Sequence, residues 1–140
     1  MNVSGLVFQD LDGEEVLLAK LRSKIIVLHL FTTWSVASQV DVEKLQKQHK
    51  KGDVDVVVIG VALDPDGAKL VRPWSKGMST EYPIVLSSAQ LRDGKSVLGR
   101  IRTVPTTLVI NRFGRVRNRV ERQLKAQELP RLVEAARRAR

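Results

Sequence analysis

The sequence predicts an α/β fold in which a central mixed β-sheet is flanked by helices. Residues 24–31 (KIIVLHLF) and 54–63 (VDVVVIGVAL) are almost continuously apolar, which is typical of strands covered on both faces. A segment with helical spacing separates them, so the order is β-α-β and the two strands are parallel with a right-handed crossover. A later strand over residues 103–111 turns back into 115–120 and adds an antiparallel pair.

Length and composition predict one domain over residues 1–140. A chain of 140 residues, 43% of them apolar, is large enough for a real core and too small for two domains. It contains no cysteine, which excludes disulfides, thiolate metal sites and thiol nucleophiles within the chain. The two histidines are far apart and no glycine-rich phosphate loop is present, so we expect no metal and no other cofactor.

No targeting segment is visible in the sequence. No apolar run is long enough to span a bilayer, and the first five residues lack the basic and apolar regions of a signal peptide. We therefore expect no membrane span. The expected location is cytoplasmic for the chain as it stands, and periplasmic or otherwise extracytoplasmic if a signal or anchor has been removed.

The N-terminal third begins with a predicted β-hairpin. Apolar residues 6–8 and 16–18 flank Asp12 and Gly13, a dipeptide that supplies the positive backbone angles of a tight turn. The hairpin precedes residues 24–31, whose apolar character on both faces predicts the central strand of the sheet.

A helix is predicted over residues 39–51, directly after the central strand. Val42, Leu45 and His49 follow one another at helical spacing and form its expected apolar stripe. Gly52 fits the position after the last turn, where a left-handed backbone conformation ends many helices.

The middle of the chain is less regular. The strand over 54–63 ends at the turn-forming sequence DPDG of residues 64–67, and a helix follows from about residue 68 to 78. Pro73 lies in its interior, so we expect a kink or a break there, with Trp74 packed against the body of the domain.

Two further strands precede the C-terminal helix. Residues 82–86 predict a short strand and residues 97–101 an irregular or helical step. The β-branched residues 103–111 predict another strand, which the sequence NRFG at 111–114 turns into the hairpin partner at 115–120.

The C-terminal segment combines an apolar stripe with a cluster of arginines. Pro130 is acceptable in the first turn of this helix. Arg131, Arg137, Arg138 and Arg140 contribute to the net charge of +9, and such a surface attracts nucleic acid, anionic lipid or acidic protein. Arginine in a last turn also suits the helix dipole, and no aromatic residues interleave with the cluster, so we expect only weak, nonspecific polyanion binding. The stripe consists of Leu129, Leu132, Val133 and Ala136.

Residues 31–38 (FTTWSVAS) form the junction between the central strand and the helix. A tryptophan followed by two serines in the spacing Ser-x-x-Ser opens the helix, and a proline in VPTTLVI (residues 104–110) opens a later strand. With LDG at residues 11–13, these segments resemble those of the thioredoxin-like superfamily, closest to the TlpA/ResA-like thiol-disulfide oxidoreductases related to the AhpC/TSA group. The resemblance covers nearly the whole chain and implies a thioredoxin-like fold with an N-terminal β-hairpin extension.

The resemblance also implies a peptide-binding surface at the helix mouth. Pro105 would be the cis-proline of the family, and Val104 would offer its backbone to an extended partner peptide. The surface would comprise Trp34, Ser35, Val36, Ser38, Val104 and Pro105.

Ser35 and Ser38 occupy the two positions at which the family carries its cysteines. A serine hydroxyl cannot form a disulfide, and a helix dipole worth at most about 2 kcal/mol leaves it protonated near neutrality. We therefore expect no catalytic residues in the chain as it is. Both serines are good helix N-caps, which accounts for them without any chemistry.

His29 and Asp64 are possible accessory residues. By the resemblance, His29 stands near the buried acid of thioredoxins and could lie under Ser38, and a Ser–His pair would be the start of a nucleophilic site. No third group or oxyanion donor is identifiable, and a lone buried histidine is usually satisfied locally. Asp64 is placed like an acidic residue of the family site, although an Asp before Pro also simply begins a turn.

Two functional hypotheses follow from the retained frame and the missing sulfurs. The first is a redox-inactive thioredoxin-like domain that binds an extended protein or peptide at the helix mouth. The alternative is a TlpA/ResA-like thiol-disulfide oxidoreductase whose two cysteines have been replaced by serine, and the source gene would decide between them.

Overall fold

The computed structural model describes residues 2–139, so Arg140 of the C-terminal arginine cluster lies outside the described residues. The chain folds into one mixed seven-stranded sheet with helices on its faces, as predicted. The strands are β1 (Val7–Asp10), β2 (Glu15–Leu17), β3 (Ile25–Phe31), β4 (Val56–Ala62), β5 (Ile84–Leu86), β6 (Thr106–Ile110) and β7 (Val116–Val120). A short 3-10 helix spans Leu18–Leu21, and the α-helices are α1 (Val36–Lys50), α2 (Ala68–Met78), α3 (Ala89–Arg92) and α4 (Glu128–Arg138).

The sheet order is β2-β1-β5-β4-β3-β6-β7, which puts β3 at the inside of the sheet. Strand β3 pairs in parallel with β4 and antiparallel with β6. The N-terminal hairpin of β1 and β2 extends the sheet by pairing antiparallel with β5. The hairpin extension and the β-α-β unit through α1 are therefore confirmed.

All seven residues of β3 are buried because both faces of the strand are covered. Ile25, Val27 and Phe31 belong to a core cluster with residues of α1, α2 and α4. Leu28 and Leu30 point to the other face, where a second cluster includes residues of the hairpin and of α3. Burying each such side chain contributes about 1.5–3 kcal/mol, so this strand anchors whatever follows it at its C-terminal end.

Helix α1 differs from the prediction in its start and in its buried face. It begins at Val36, and its last turn buries Gln48 while His49 is exposed, so the expected contribution of His49 to the stripe was wrong. Gln48 Nε2 donates to Asp53 Oδ2 at 3.3 Å, and this hydrogen bond connects the last turn of α1 to the loop that follows it. Gly52 follows with a positive φ of 68°, as expected.

The sequence predicted a kink or a break at Pro73, and of these two the break was wrong, because α2 runs without interruption across the proline. The proline is on the exposed side of the helix, where its missing N–H removes only one main-chain bond. Trp74 packs against the body of the domain, with its ring stacked on Phe31 at 4.5 Å between centroids. The helix α3 was not expected, and Ser88 begins it by accepting from Leu91 N–H at 3.1 Å.

The C-terminal half follows the sequence pattern closely. Asn111 Oδ1 accepts from the N–H groups of Phe113 and Arg115, and Gly114 has a φ of 77°, which together close the turn between β6 and β7. In α4 the expected apolar stripe faces the core. Within residues 2–139, no helix is both long enough and apolar enough to cross a membrane.

Candidate functional site

The candidate site lies where β3 ends and α1 begins. Strand β6 runs beside β3 with Thr106 opposite Leu30, so extending the register places Pro105 and then Val104 beside the loop that leads into α1. The Val104–Pro105 peptide bond is cis. We call Trp34, Ser35, Val36 and Val104 the helix-mouth surface; Ser38 and Pro105 were also expected on it, but both are buried.

Two large apolar side chains of this surface are open to solvent. Trp34 is 65% exposed and Val36 is 72% exposed, while Val104 is half-buried and Pro105 is buried. A single exposed apolar residue is normal on a protein surface. A tryptophan and a valine two positions apart at a helix start form a small patch that a partner could cover.

Ser35 is the N-cap of α1. Its backbone is extended, and its Oγ accepts from Ser38 N–H at 3.1 Å, which satisfies one of the free amides of the first turn. The expectation that Ser35 caps the helix is therefore confirmed.

Ser38 is not a cap, contrary to expectation, because α1 begins two residues before it. Its side chain is fully buried, and Ser38 Oγ has no hydrogen-bond partner in the described residues. The hydroxyls of Thr32 and Thr107 are buried without partners as well. The interior beneath the helix mouth therefore contains hydroxyl groups that have no hydrogen-bond partner among the described residues.

His29 faces α1 and meets Asp41. His29 Nε2 lies 3.3 Å from Asp41 Oδ2, and both side chains are buried. Asp41 Oδ1 also accepts from Leu124 N–H at 3.0 Å, which ties α1 to the segment before α4. The suggested Ser–His pair was wrong, because Ser38 Oγ makes no hydrogen bond and a nucleophile needs one to its base.

Asp41 is the residue of this region that sequence reasoning missed. It lies three positions after Ser38 on the same buried face of α1, which continues through Leu45 to Gln48. The steps of three, four and three residues are those of one helix face. That spacing was the signal in the sequence for this buried face. It does not stand out when only apolar residues are considered, because Ser38, Asp41 and Gln48 are polar.

Asp64 fixes the loop that carries Trp34. Its buried carboxylate accepts from Thr33 N–H at 3.1 Å and from the Thr33 hydroxyl. Its main-chain carbonyl accepts from Gly67 N–H, so it also begins a turn. Asp64 thus positions the helix-mouth loop from below and is not available at the surface.

The C-terminal arginine cluster is partly neutralised. Arg137 donates to Asp55, Asp53 and Glu134, with Nε to Asp55 Oδ2 at 2.7 Å as one of its shortest bonds. These hydrogen bonds raise the pKa of Arg137 and lower the pKa of Asp55. Among residues 2–139, no group of three His, Cys, Asp or Glu side chains could hold a metal ion.

Comparisons with known proteins agree on the fold. The sequence model of the Redoxin family matches residues 3–135 of this chain. None of the curated proteins matches the chain. Several solved structures do, at sequence identities that carry information on the fold alone.

One is a DsbF homologue from Corynebacterium diphtheriae, 22% identical with a TM-score of 0.81, over 96% of this chain and 85% of that chain. Another is a thiol:disulfide interchange protein of the thioredoxin family from Chlorobium tepidum TLS, 20% identical with a TM-score of 0.81, over 97% and 95% of the chains. StoA from Bacillus subtilis is 19% identical with a TM-score of 0.74, over 94% and 98%. The predicted thioredoxin-like fold is confirmed.

Proposed function

Because the chain belongs to the Redoxin family and yet contains no cysteine, we propose that it binds an extended protein or peptide segment at the helix-mouth surface without redox chemistry. Dithiol exchange needs an attacking thiolate and a second sulfur that resolves the mixed disulfide. Ser35 and Ser38 can supply neither. Binding is the activity that the remaining surface supports.

The observation that carries the proposal is the exposure of Trp34 and Val36 at the start of α1. Aromatic side chains are frequent anchors of binding energy because they bury a large area at a small cost in conformational entropy. Asp64 holds the loop before Trp34, and Ser35 caps the helix, so the two apolar side chains project from a fixed base. A fixed base lowers the entropy lost on binding.

Val104 would supply the main-chain part of the contact. It is half-buried just before β6, beside the loop that carries Trp34. An extended peptide lying there would pair with this backbone as an added strand and place alternate side chains against Trp34 and Val36. The ligand would be recognised by main-chain hydrogen bonds and by apolar side-chain contacts. The expected ligand is therefore an extended segment with apolar side chains at alternate positions.

Selection from a peptide library against the immobilised protein tests the proposal. Selected peptides should bind the wild type and lose at least about tenfold in affinity with Trp34→Ser or Val36→Glu, because truncating a central anchor costs upwards of about 1–2 kcal/mol. Val54→Glu is the matched control, since Val54 is an exposed valine, 85% accessible, in the loop between α1 and β4. Peptides that respond equally to Val36→Glu and Val54→Glu would place the binding site elsewhere.

One observation favours the alternative, an oxidoreductase with serine at both cysteine positions. Ser38 Oγ is buried without a hydrogen-bond partner. Burying a hydroxyl in this way costs free energy, whereas burying a thiol costs less because a thiol is a weak donor and behaves as a small apolar group. The variant carrying Ser35→Cys and Ser38→Cys should close an intramolecular disulfide and reduce insulin. Failure to oxidise would remove the alternative, and insulin reduction by the unchanged protein would contradict the redox-inactive proposal.

A further inference from the structure

A groove lies between α1 and the segment that leads into α4, away from the serines of the helix mouth. It has a volume of about 300 Å³. Val40 and Pro130 contribute apolar surface to its lining, and Leu129 lies at its base. We call it the lysine groove, because its other walls carry Lys44, Lys47, Lys51 and Lys125.

The positive charge of the groove is only partly neutralised. Glu43 is the one acidic residue in the lining, and its pair with Lys47 at 3.5 Å joins two largely exposed side chains, an arrangement worth little in water. Lys44 Nζ lies 3.9 Å from the buried Asp41. No ion pair within the described part of the chain involves Lys51 or Lys125.

A buried amide side chain backs the groove. Gln48 lines it and is only 3% exposed, and its Nε2 is engaged with Asp53. Its Oε1 has no hydrogen-bond partner in the described residues. That oxygen is itself buried, so a ligand in the groove does not reach it, and Gln48 contributes only to the wall.

We propose that the lysine groove binds an acidic protein segment in which carboxylates alternate with aliphatic side chains. The lysines match the carboxylates, and the exposed surface of Val40 and Pro130 matches the aliphatic groups. From Val40 to Lys51 the groove follows about 16 Å of helix, which an extended segment of about five residues would span.

Nucleic acid fits this groove less well than protein does. The lining contains no aromatic side chain, and stacking on aromatic rings supplies much of the affinity for single strands. A nucleic acid would also leave the apolar part of the groove without a matching surface. The chemistry of the lining therefore selects a polypeptide among polyanionic partners.

This inference goes beyond the proposed function and does not depend on it. Val40 is 44% exposed and lies one helical turn after Val36, so the two surfaces adjoin along α1. Substitutions of the lysines alter the lysine groove alone, because no lysine belongs to the helix-mouth surface, so variants can distinguish the two surfaces.

The test is fluorescence anisotropy with a labelled peptide of about eight residues in which glutamate alternates with leucine, in about 0.15 M salt. The variant carrying Lys47→Glu and Lys51→Glu should bind at least about tenfold more weakly than the wild type, because two attractions become two repulsions. The variant carrying Lys76→Glu and Lys95→Glu has the same net charge and alters exposed lysines outside the groove, so it should bind like the wild type. Trp34→Ser should also bind like the wild type.

Any one of the following results would overturn the proposal. Equal losses in the two lysine variants would mean that only net charge matters, and loss with Trp34→Ser alone would move the peptide to the helix mouth. Equal affinity for a single-stranded oligonucleotide or for the peptide with glutamine in place of glutamate would remove the stated specificity. Self-association that is abolished by Lys47→Glu with Lys51→Glu would identify the occupant as a second copy of this chain.

Discussion

The helix-mouth surface and the ion cluster around Arg137 differ in how far their side chains are buried and hydrogen-bonded within the chain. At the helix mouth, Trp34 and Val36 are exposed and the hydroxyl beneath them, on Ser38, has no partner. Around Arg137, Asp53, Asp55 and Glu134 all accept hydrogen bonds from one guanidinium. We call this second group the arginine clamp.

The difference separates a structural role from a binding role. The clamp joins α4 to the loop before β4, and all three nitrogens of the guanidinium are used inside the chain, so little of this arginine is left for a partner. The helix mouth has apolar area that the fold does not bury and a polar atom that the fold does not satisfy. The following variants test this distinction, from the largest expected effect to the smallest.

The largest effect is expected for Asp41→Ala, which removes the support beneath the helix mouth. The change leaves the His29 ring and the Leu124 N–H buried without their partner, and each buried group left unsatisfied in this way costs about 1–3 kcal/mol. Urea denaturation should show the loss. Glu43→Ala, on the exposed side of the same helix, should cost less than about 0.5 kcal/mol. A loss below about 1 kcal/mol for Asp41→Ala would mean that the pair is not structural.

Arg137→Ala should destabilise the protein by about 1–2 kcal/mol, because it opens all contacts of the arginine clamp at once although they are partly exposed to solvent. Arg138→Ala removes the neighbouring exposed arginine and should change stability by less than about 0.5 kcal/mol. If the two variants unfold at the same urea concentration, the clamp does not stabilise the fold.

The clamp should also have a recognisable pH dependence. The hydrogen bond from Arg137 holds the pKa of Asp55 below its ordinary value of 3.8. A lowered carboxyl pKa gives stability that is present above the ordinary value and is lost as the pH falls through the lowered one. The difference in unfolding free energy between wild type and Arg137→Ala should therefore be constant from about pH 7 to 5 and should narrow below about pH 4. A gap that widens in acid would contradict the assignment.

The smallest effect is expected at the two serines, and it should differ in sign between them. Ser35→Ala should cost about 1 kcal/mol because it removes the cap of α1. Ser38→Ala should leave stability unchanged or raise it by up to about 1 kcal/mol, because the hydroxyl that it removes is buried without a partner. Thermal unfolding of the two variants side by side measures both, and equal losses would show that Ser38 Oγ is satisfied in solution.

The sequence predicted the sheet and its connections because long apolar strands and glycine turns leave few alternatives. Residues 24–31 could only be a strand covered on both faces, and Gly13, Gly52 and Gly114 lie where a positive φ is required. The placement of residues 104 and 105 beside the helix mouth came from the resemblance, and the register of β3 with β6 agrees with it.

The polar part of the site was harder to predict from the sequence. Which of two serines caps a helix depends on the residue at which the helix begins, and Ser35 and Ser38 are equally good caps by residue type. Asp41 and Gln48 escaped notice because buried positions were sought among apolar residues. The short helix α3 has too few residues to show any periodicity.

The unequal surroundings of the two tryptophans have a spectroscopic consequence. Trp34 lies in water, whereas Trp74 is half-buried and stacked on Phe31. Excited-state emission from the first should be red-shifted and readily quenched by iodide, and that from the second should be blue-shifted and protected. The chain therefore carries an internal fluorescent probe at its candidate binding surface, with a reference fluorophore in the same molecule against which any change can be normalised.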